Sequence, residues 1–218
     1  MVSSTSALAQ RFGGKQLTPE DATNLSLGLT AALGDLEVTV DYFNIKIENR
    51  IAQVTHELSQ DDRDFLVDNG SPEASMISQV SFFVNDFDTR TSGIDIVANY
   101  PVEWENSSTQ ITLAVNYTNT EVTNQGELIT DGRARELEDS LPAYRATLSF
   151  DHSFDPFNAL VRINYFDESY ESLFNDETLP VVTPGLFIVD AELSWDIDDS
   201  MSVAVGAKNL FDQYPDEW

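Results

Sequence analysis

The sequence predicts an all-β protein, an antiparallel up-and-down meander of about eight strands, on three observations. Apolar residues recur at every second position in segment after segment. Short turns alternate with long polar connections. Aromatic and aliphatic residues are plentiful, with 13 Phe, 7 Tyr and 3 Trp, so the chain has ample material to fold. A helix cannot gather residues of period two onto one face, whereas a strand does so automatically.

The first strand is expected at 24–34, where Leu25, Leu27, Leu29, Ala31 and Leu33 alternate with Asn24, Ser26, Gly28 and Thr30. The second, 35–54, sets Leu36, Val38, Val40 and Tyr42 against Asp35, Glu37, Thr39 and Asp41. Its phase changes at Tyr42-Phe43, after which Phe43, Ile45 and Ile47 are apolar, which predicts a β-bulge there. A long third strand, 77–101, precedes a fourth at 108–122, marked by Ile111, Leu113, Val115 and Tyr117. The fifth, 143–154, carries Tyr144, Ala146, Leu148 and Phe150, and the sixth spans 158–170. Phe187, Val189, Ala191, Leu193 and Trp195 define the seventh at 186–197, and Met201, Val203, Val205 and Ala207 the eighth at 200–211.

Gly34-Asp35, Val102 to Ser107, Asp155-Pro156-Phe157 and Asp198-Asp199 are short joints. Long polar stretches lie between them at 55–76, 123–142 and 171–185. Short turns at one end and long connections at the other characterise outer-membrane barrels. A soluble barrel would point the apolar set inward and a membrane barrel outward, and hydropathy alone reads the same for both. Two features favour the membrane. The alternate face is rich in Asn, Thr, Ser and charge, and aromatics such as Tyr100, Trp104, Tyr117 and Trp195 gather near strand ends.

Composition removes several classes of function. The 38 acidic residues against 11 basic ones give a net charge of −27, which excludes nucleic acid as a partner. The absence of cysteine excludes disulfide scaffolds and thiolate chemistry, and 2 histidines leave little for a His-based relay. Met1 to Ser6 has neither a basic nor an apolar region, so no signal peptide is expected. No apolar run is long enough for a transmembrane helix, a test that a barrel strand escapes.

Certain motifs go beyond periodicity. Leu17-Thr18-Pro19-Glu20 with Asn24, then Asp41-Tyr42-Phe43-Asn44-Ile45 with Asn49-Arg50-Ile51, resemble the barrel of TonB-dependent outer-membrane receptors. So do the run Asn85-Asp86-Phe87-Asp88-Thr89-Arg90-Thr91-Ser92-Gly93-Ile94-Asp95 and, most specifically, Gly206-Ala207-Lys208-Asn209-Leu210-Phe211-Asp212-Gln213-Tyr214-Pro215. The resemblance runs over residues 11–216. It implies a segment of a transmembrane barrel of about 22 strands, with a plug in its lumen, in the outer membrane of a Gram-negative bacterium. It further implies nutrient uptake driven through the TonB system, with a ferric siderophore as ligand and cobalamin or an oligosaccharide as lesser options. Outer-membrane lipid and lipopolysaccharide would be the surrounding partners. The family's signal peptide, TonB-contacting box, plug and final strand have no counterpart in these residues, and Trp218 comes too early to be the terminal aromatic. Residues 1–218 are therefore expected to be a partial barrel domain, an open curved sheet with unpaired edges.

No catalytic, cofactor-binding or metal-binding residue is assigned, and no cofactor is expected. Asp61, Asp62, Asp64 and Asp68 lack EF-hand spacing and read as a solvated loop. Asp86, Asp88 and Asp95 flank Gly93 and read as barrel-wall residues facing the lumen or rim. His56 and His152 lie far apart, and no nucleophile motif accompanies them. Paired carboxylates suited to glycoside hydrolysis would arise by chance in so acidic a chain. Arg133, Arg135 and Arg145 could meet an anionic ligand or a lipopolysaccharide phosphate, but Glu136, Glu138 and Asp139 offer local partners. A soluble acidic β-barrel or sandwich holding a small ligand is the alternative; an enzyme is a distant third.

Overall fold

The structure, a computed structural model, describes residues 1–69, 76–172 and 180–215. Trp218 and parts of the stretches 55–76 and 171–185 lie outside the described residues. The elements in chain order are α1 (Ala7–Arg11), β1 (Asp21–Leu33), β2 (Leu36–Glu57), α2 (Gln60–Asp68), β3 (Gln79–Glu103), β4 (Ser108–Gln125), α3 (Asp131–Asp139), β5 (Tyr144–Phe154), β6 (Phe157–Phe166), β7 (Ser169–Ser172), β8 (Pro180–Thr183), β9 (Leu186–Asp198) and β10 (Met201–Ala207).

Eight strands form one sheet in the order β1-β2-β3-β4-β5-β6-β9-β10, and β7 pairs only with β8. This is the expected meander. Strand follows strand, so the connections after β2, β4 and β6 leave from one end and the tight turns from the other. The order ends on β1 and β10, and no ladder joins them among the described residues.

The chain divides into two compact units, the first of Met1–Thr23, Lys46–Arg90 and Glu121–Ala134, the second of the remaining segments. In the second unit the register places the expected residues together. Leu113 faces Leu148, Leu148 faces Ile163, Ile163 faces Val189, and Leu193 faces both Ala159 and Val205. Gly28 backs onto Asp41 and Thr30 onto Thr39, which turns Leu27 and Leu29 to the opposite side. Among the described residues the apolar side has no cover of its own: Leu27 is 73% and Val205 75% exposed. Aromatic pairs mark its two margins, Tyr117–Tyr144 and Tyr165–Phe187 at one, Phe154–Phe157 and Phe157–Trp195 at the other. β6, at 10 residues, has the length that a tilted strand needs to cross hydrocarbon, about 9–11 residues.

The first unit owns a small core. Leu8 of α1, Leu58, Leu66 of α2 and Val80 of β3 are buried together, with Val2, Phe12 and Phe65 packed against them. Ser59 caps α2 in a reciprocal box with Asp62, and Ser6 caps α1 by accepting from the Ala9 amide.

Five expectations are corrected in detail. The long connections contain α2, α3 and the β7–β8 hairpin, where polar composition suggested only loop. The strand expected at 158–170 ends at Phe166, and that expected at 200–211 ends at Ala207, where the Asn209 turn takes over. The turn of the last hairpin is Asp199-Ser200, one residue on from the expected Asp198-Asp199. The phase change at Tyr42-Phe43 is a packing effect: the Phe43 ring lies over Gly93, on the face that carries Asp95. The backbone departs from extended geometry later in β2, at Asn49 with φ 55°.

Candidate functional site

Behind the apolar ladder of the second unit runs a hydrogen-bonded polar wall. Asn116 donates to Asp95 (2.7 Å), Thr112 to Asn99 (2.9 Å) and Thr147 to Asn164 (3.0 Å). Asp190 accepts from the Asn164 amide (3.4 Å) and from the Asn209 backbone N–H (2.9 Å). Strand alternation produces both faces at once, one apolar and one that suits a wet lumen. At Gly93 a side chain would collide with the Tyr117 carbonyl and the Phe43 ring, so glycine here lets an aromatic lie flat on the wall.

The Asn209-Leu210-Phe211-Asp212 run folds into a closed turn. Asn209 and Asp212 have φ of 52° and 53°, a region that Asn and Asp tolerate better than other side chains. The Asn209 side chain donates to the Gln213 carbonyl and accepts from the Gln213 amide, both at 2.9 Å. The Leu210 amide reaches back to the Val189 carbonyl at 2.7 Å.

In the first unit, side chains stand in for ladder bonds around the kink at Asn49. Asp88 accepts from the Asn49 amide (2.9 Å), Glu20 from the Ile51 amide (2.7 Å), and Asn85 donates to the Asn49 carbonyl (2.6 Å). Asn85 also pairs with both backbone groups of Thr18, and Asp86 accepts from the amides of Leu128 and Ile129. A cleft of about 570 Å³ lies beside them, lined by residues including Lys15, Gln16, Thr18, Asn49, Asn85 and Glu127. Asp86 and Asp88 thus brace backbone, while Asp95 sits in the polar wall.

The other sequence candidates separate. Asp62 caps α2 and pairs with Arg11 at 2.7 Å; the Ser59 hydroxyl, then Arg11, holds its carboxyl below the ordinary range. Asp64 accepts from Gln60, and no cluster of His, Asp or Glu among the described residues is arranged to hold a metal. His56 is stacked between Phe12 and Phe82, and burial lowers its pKa. His152 belongs to the other unit, where its Nδ1 meets the Thr109 hydroxyl at 2.8 Å. Of the three arginines, Arg135 lies over the Tyr170 ring at 4.0 Å and 3.5 Å from Asp139, the local pairing that the acidic neighbours suggested.

One role escaped the sequence reading, which took Glu136 as a local partner for the arginines. Glu136, 6% exposed, accepts from the Ser172 amide (2.9 Å) and from its hydroxyl, and so ties α3 to β7. Its partner lies 36 residues away, a distance that no local pattern reports.

Comparison with known proteins follows this geometry. The family model of the TonB-dependent receptor-like β-barrel matches residues 3–210. A search of the curated proteins finds no match. Among solved structures, the ferripyoverdine receptor of the Pseudomonas aeruginosa outer membrane superposes with a TM-score of 0.60 at 15% identity, over 93% of this chain and 25% of that one. The FrpB iron transporter of Neisseria meningitidis gives 0.61 at 17% identity, over 90% and 28%. The ferric-catecholate import receptor Fiu of Escherichia coli gives 0.60 at 16%, over 90% and 24%. The chain spans about a quarter of the length of the solved receptors it matches.

Proposed function

This chain belongs to the family of TonB-dependent receptor-like β-barrels of the outer membrane, and from that membership we propose that it forms wall and loops of a receptor importing a ferric siderophore. The observation that carries the reading is the two-faced ladder of β4, β5, β6 and β9. Its apolar side suits lipid and the lipid portion of lipopolysaccharide, and its polar side suits a plugged lumen. Relatives of the same fold are receptors for ferripyoverdine and ferric catecholate, which supports iron chelates ahead of cobalamin or an oligosaccharide. Ligand would meet the connections after β2, β4 and β6, and TonB would act through the family's plug. A soluble barrel would have to close β1 on β10 and hide Leu27 and Val205, and it has no support in the strand order.

The experiment is uptake of radiolabelled iron by the source bacterium with and without the gene. Deletion should abolish uptake of one ferric siderophore and spare free iron. Unchanged uptake of every ferric chelate, with lost growth on cobalamin or an oligosaccharide, would overturn the ligand class.

A further inference from the structure

Thr109 and His152 are polar residues on the apolar side of the sheet. They stand opposite each other in the ladder, two residues on from the Ile111–Phe150 pair along each strand, and so share its face. The Trp104 indole N–H donates to the Thr109 hydroxyl oxygen at 3.0 Å, and that oxygen lies 2.8 Å from His152 Nδ1. An indole can only donate, so Thr109 accepts from Trp104 and has its own proton left for Nδ1. The neutral imidazole is thereby held with its hydrogen on Nε2. Among the described residues no protein acceptor meets that hydrogen, and the ring is only half buried. A donor aimed by its neighbours in this way needs little further ordering when an acceptor arrives from outside.

The surroundings select the acceptor. His152 stacks on Phe154 at 5.3 Å, and the row continues through Phe157 to Trp195, the aromatic margin at the tight-turn end. In an outer-membrane barrel the short turns are periplasmic, and the leaflet on that side is phospholipid. Ala159 separates His152 from Leu193 in the ladder, and its single methyl leaves a recess between them. Trp104, 60% exposed, stands at the same margin. Beyond it the turns are acidic: Glu105 follows Trp104, Asp155 follows Phe154, and Asp196, Asp198 and Asp199 line a cavity with Asp155. Neither Lys nor Arg occurs at 103–107, 154–157 or 196–202. Outward along the wall, then, come apolar side chains, N–H donors and carboxylates. A zwitterionic phospholipid presents acyl chain, phosphate and ammonium in the same order, each beside its complement. A net anionic headgroup has no ammonium to offer, and the carboxylates would repel it.

We propose that Trp104, Thr109 and His152 form a site for the phosphate of a phosphatidylethanolamine molecule in the periplasmic leaflet, its ammonium set among the turn carboxylates. This rests on the apolar side facing lipid and not on which nutrient the receptor imports. The test takes the gene product from outer membranes into detergent, strips it of lipid and titrates it with phosphatidylethanolamine or phosphatidylglycerol of identical chains. Native mass spectrometry should show a single phosphatidylethanolamine retained per barrel, about threefold more tightly than phosphatidylglycerol. His152→Phe keeps an aromatic on the lipid face and should weaken that retention about tenfold, with heat-modifiable mobility unchanged. Trp104→Phe and Thr109→Val free the donor without removing it and should each weaken retention about threefold. They carry the same comparison should His152→Phe fail to assemble. Equal retention by wild type and these variants would overturn the site. Phosphatidylglycerol held as tightly as phosphatidylethanolamine would overturn the headgroup, and displacement by millimolar inorganic phosphate would overturn the lipid in favour of free phosphate. A gene product absent from the outer membrane would overturn the premise, and the proposal with it.

Discussion

Asn209 performs two backbone tasks with one side chain, holding both polar groups of Gln213 while its own φ of 52° turns the chain. The Asn-Leu-Phe-Asp run was legible through its resemblance to the family's motif, and the left-handed backbone at Asn209 and Asp212 accounts for the residue types found there. Glu136 was not, since its value lies in a partner that only folding brings near. His56 sits between these cases. Among the described residues its Nε2 is buried without a partner, and its ring lies between Phe12 and Phe82 at 5.0 and 5.8 Å. β2 has 22 residues where about 9–11 cross hydrocarbon, and His56 stands next to its last residue, beside the connection to α2 and so outside the membrane-spanning part of the strand. Burial lowers its pKa, so below about 6.5 the unfolded chain takes up a proton that the folded chain refuses. The stabilisation is full above that value and drains as pH falls toward the lowered one. Exchange protection at Val80–Val84 should weaken between pH 7.5 and 5, about the usual histidine range, and His56→Phe should flatten the profile. Identical profiles in wild type and variant would refute the assignment.

At the scale of elements, the ladder of β4, β5, β6 and β9 makes the two faces inequivalent in a way that substitution can read. Leu148 stands between Leu113 and Ile163, midway along β5 between the aromatic margins. A lysine there would face hydrocarbon at mid-depth and cost about 2–4 kcal/mol. Thr147, one residue earlier, points to the polar wall and donates to Asn164. Thr147→Lys gives up that hydrogen bond, about 1 kcal/mol, and finds water or acid around it. Urea unfolding of the barrel in vesicles should rank Leu148→Lys well below Thr147→Lys, and the reverse order would invert the sheet in the membrane. Alternation made these strands readable to within a few residues. It failed in β2, because Phe43 on the polar face imitates a bulge when the glycine beneath it is out of view. It also failed in the long connections, where Ser59 with Asp62, and Thr130 with the Arg133 amide, are helix-capping signals masked by surrounding charge.

For the molecule as a whole, the decisive property is the pair of edges. Among the described residues, β1 and β10 each have one neighbour in the sheet, so each presents a row of unpaired backbone groups. In lipid every such group costs several kcal/mol, and in water a flat edge invites another strand. The apolar side adds to the problem, with Leu25, Leu29, Phe187 and Val203 each at least half exposed. A net charge of −27 keeps copies apart at long range, but salt screens it within about 10 Å at 0.1 M. Edge pairing acts at contact distance and should win. The 218-residue chain, produced alone, should therefore be recovered from plain buffer as large, β-rich assemblies, and should stay dispersed only in detergent. The same strands within a complete receptor barrel, where β1 and β10 both have partners, should run as a heat-modifiable monomer. Light scattering and circular dichroism on the isolated chain decide the matter. A clear monomer at high concentration without detergent would mean that the apolar ladder has a protein cover, and that the sheet is not a wall facing lipid.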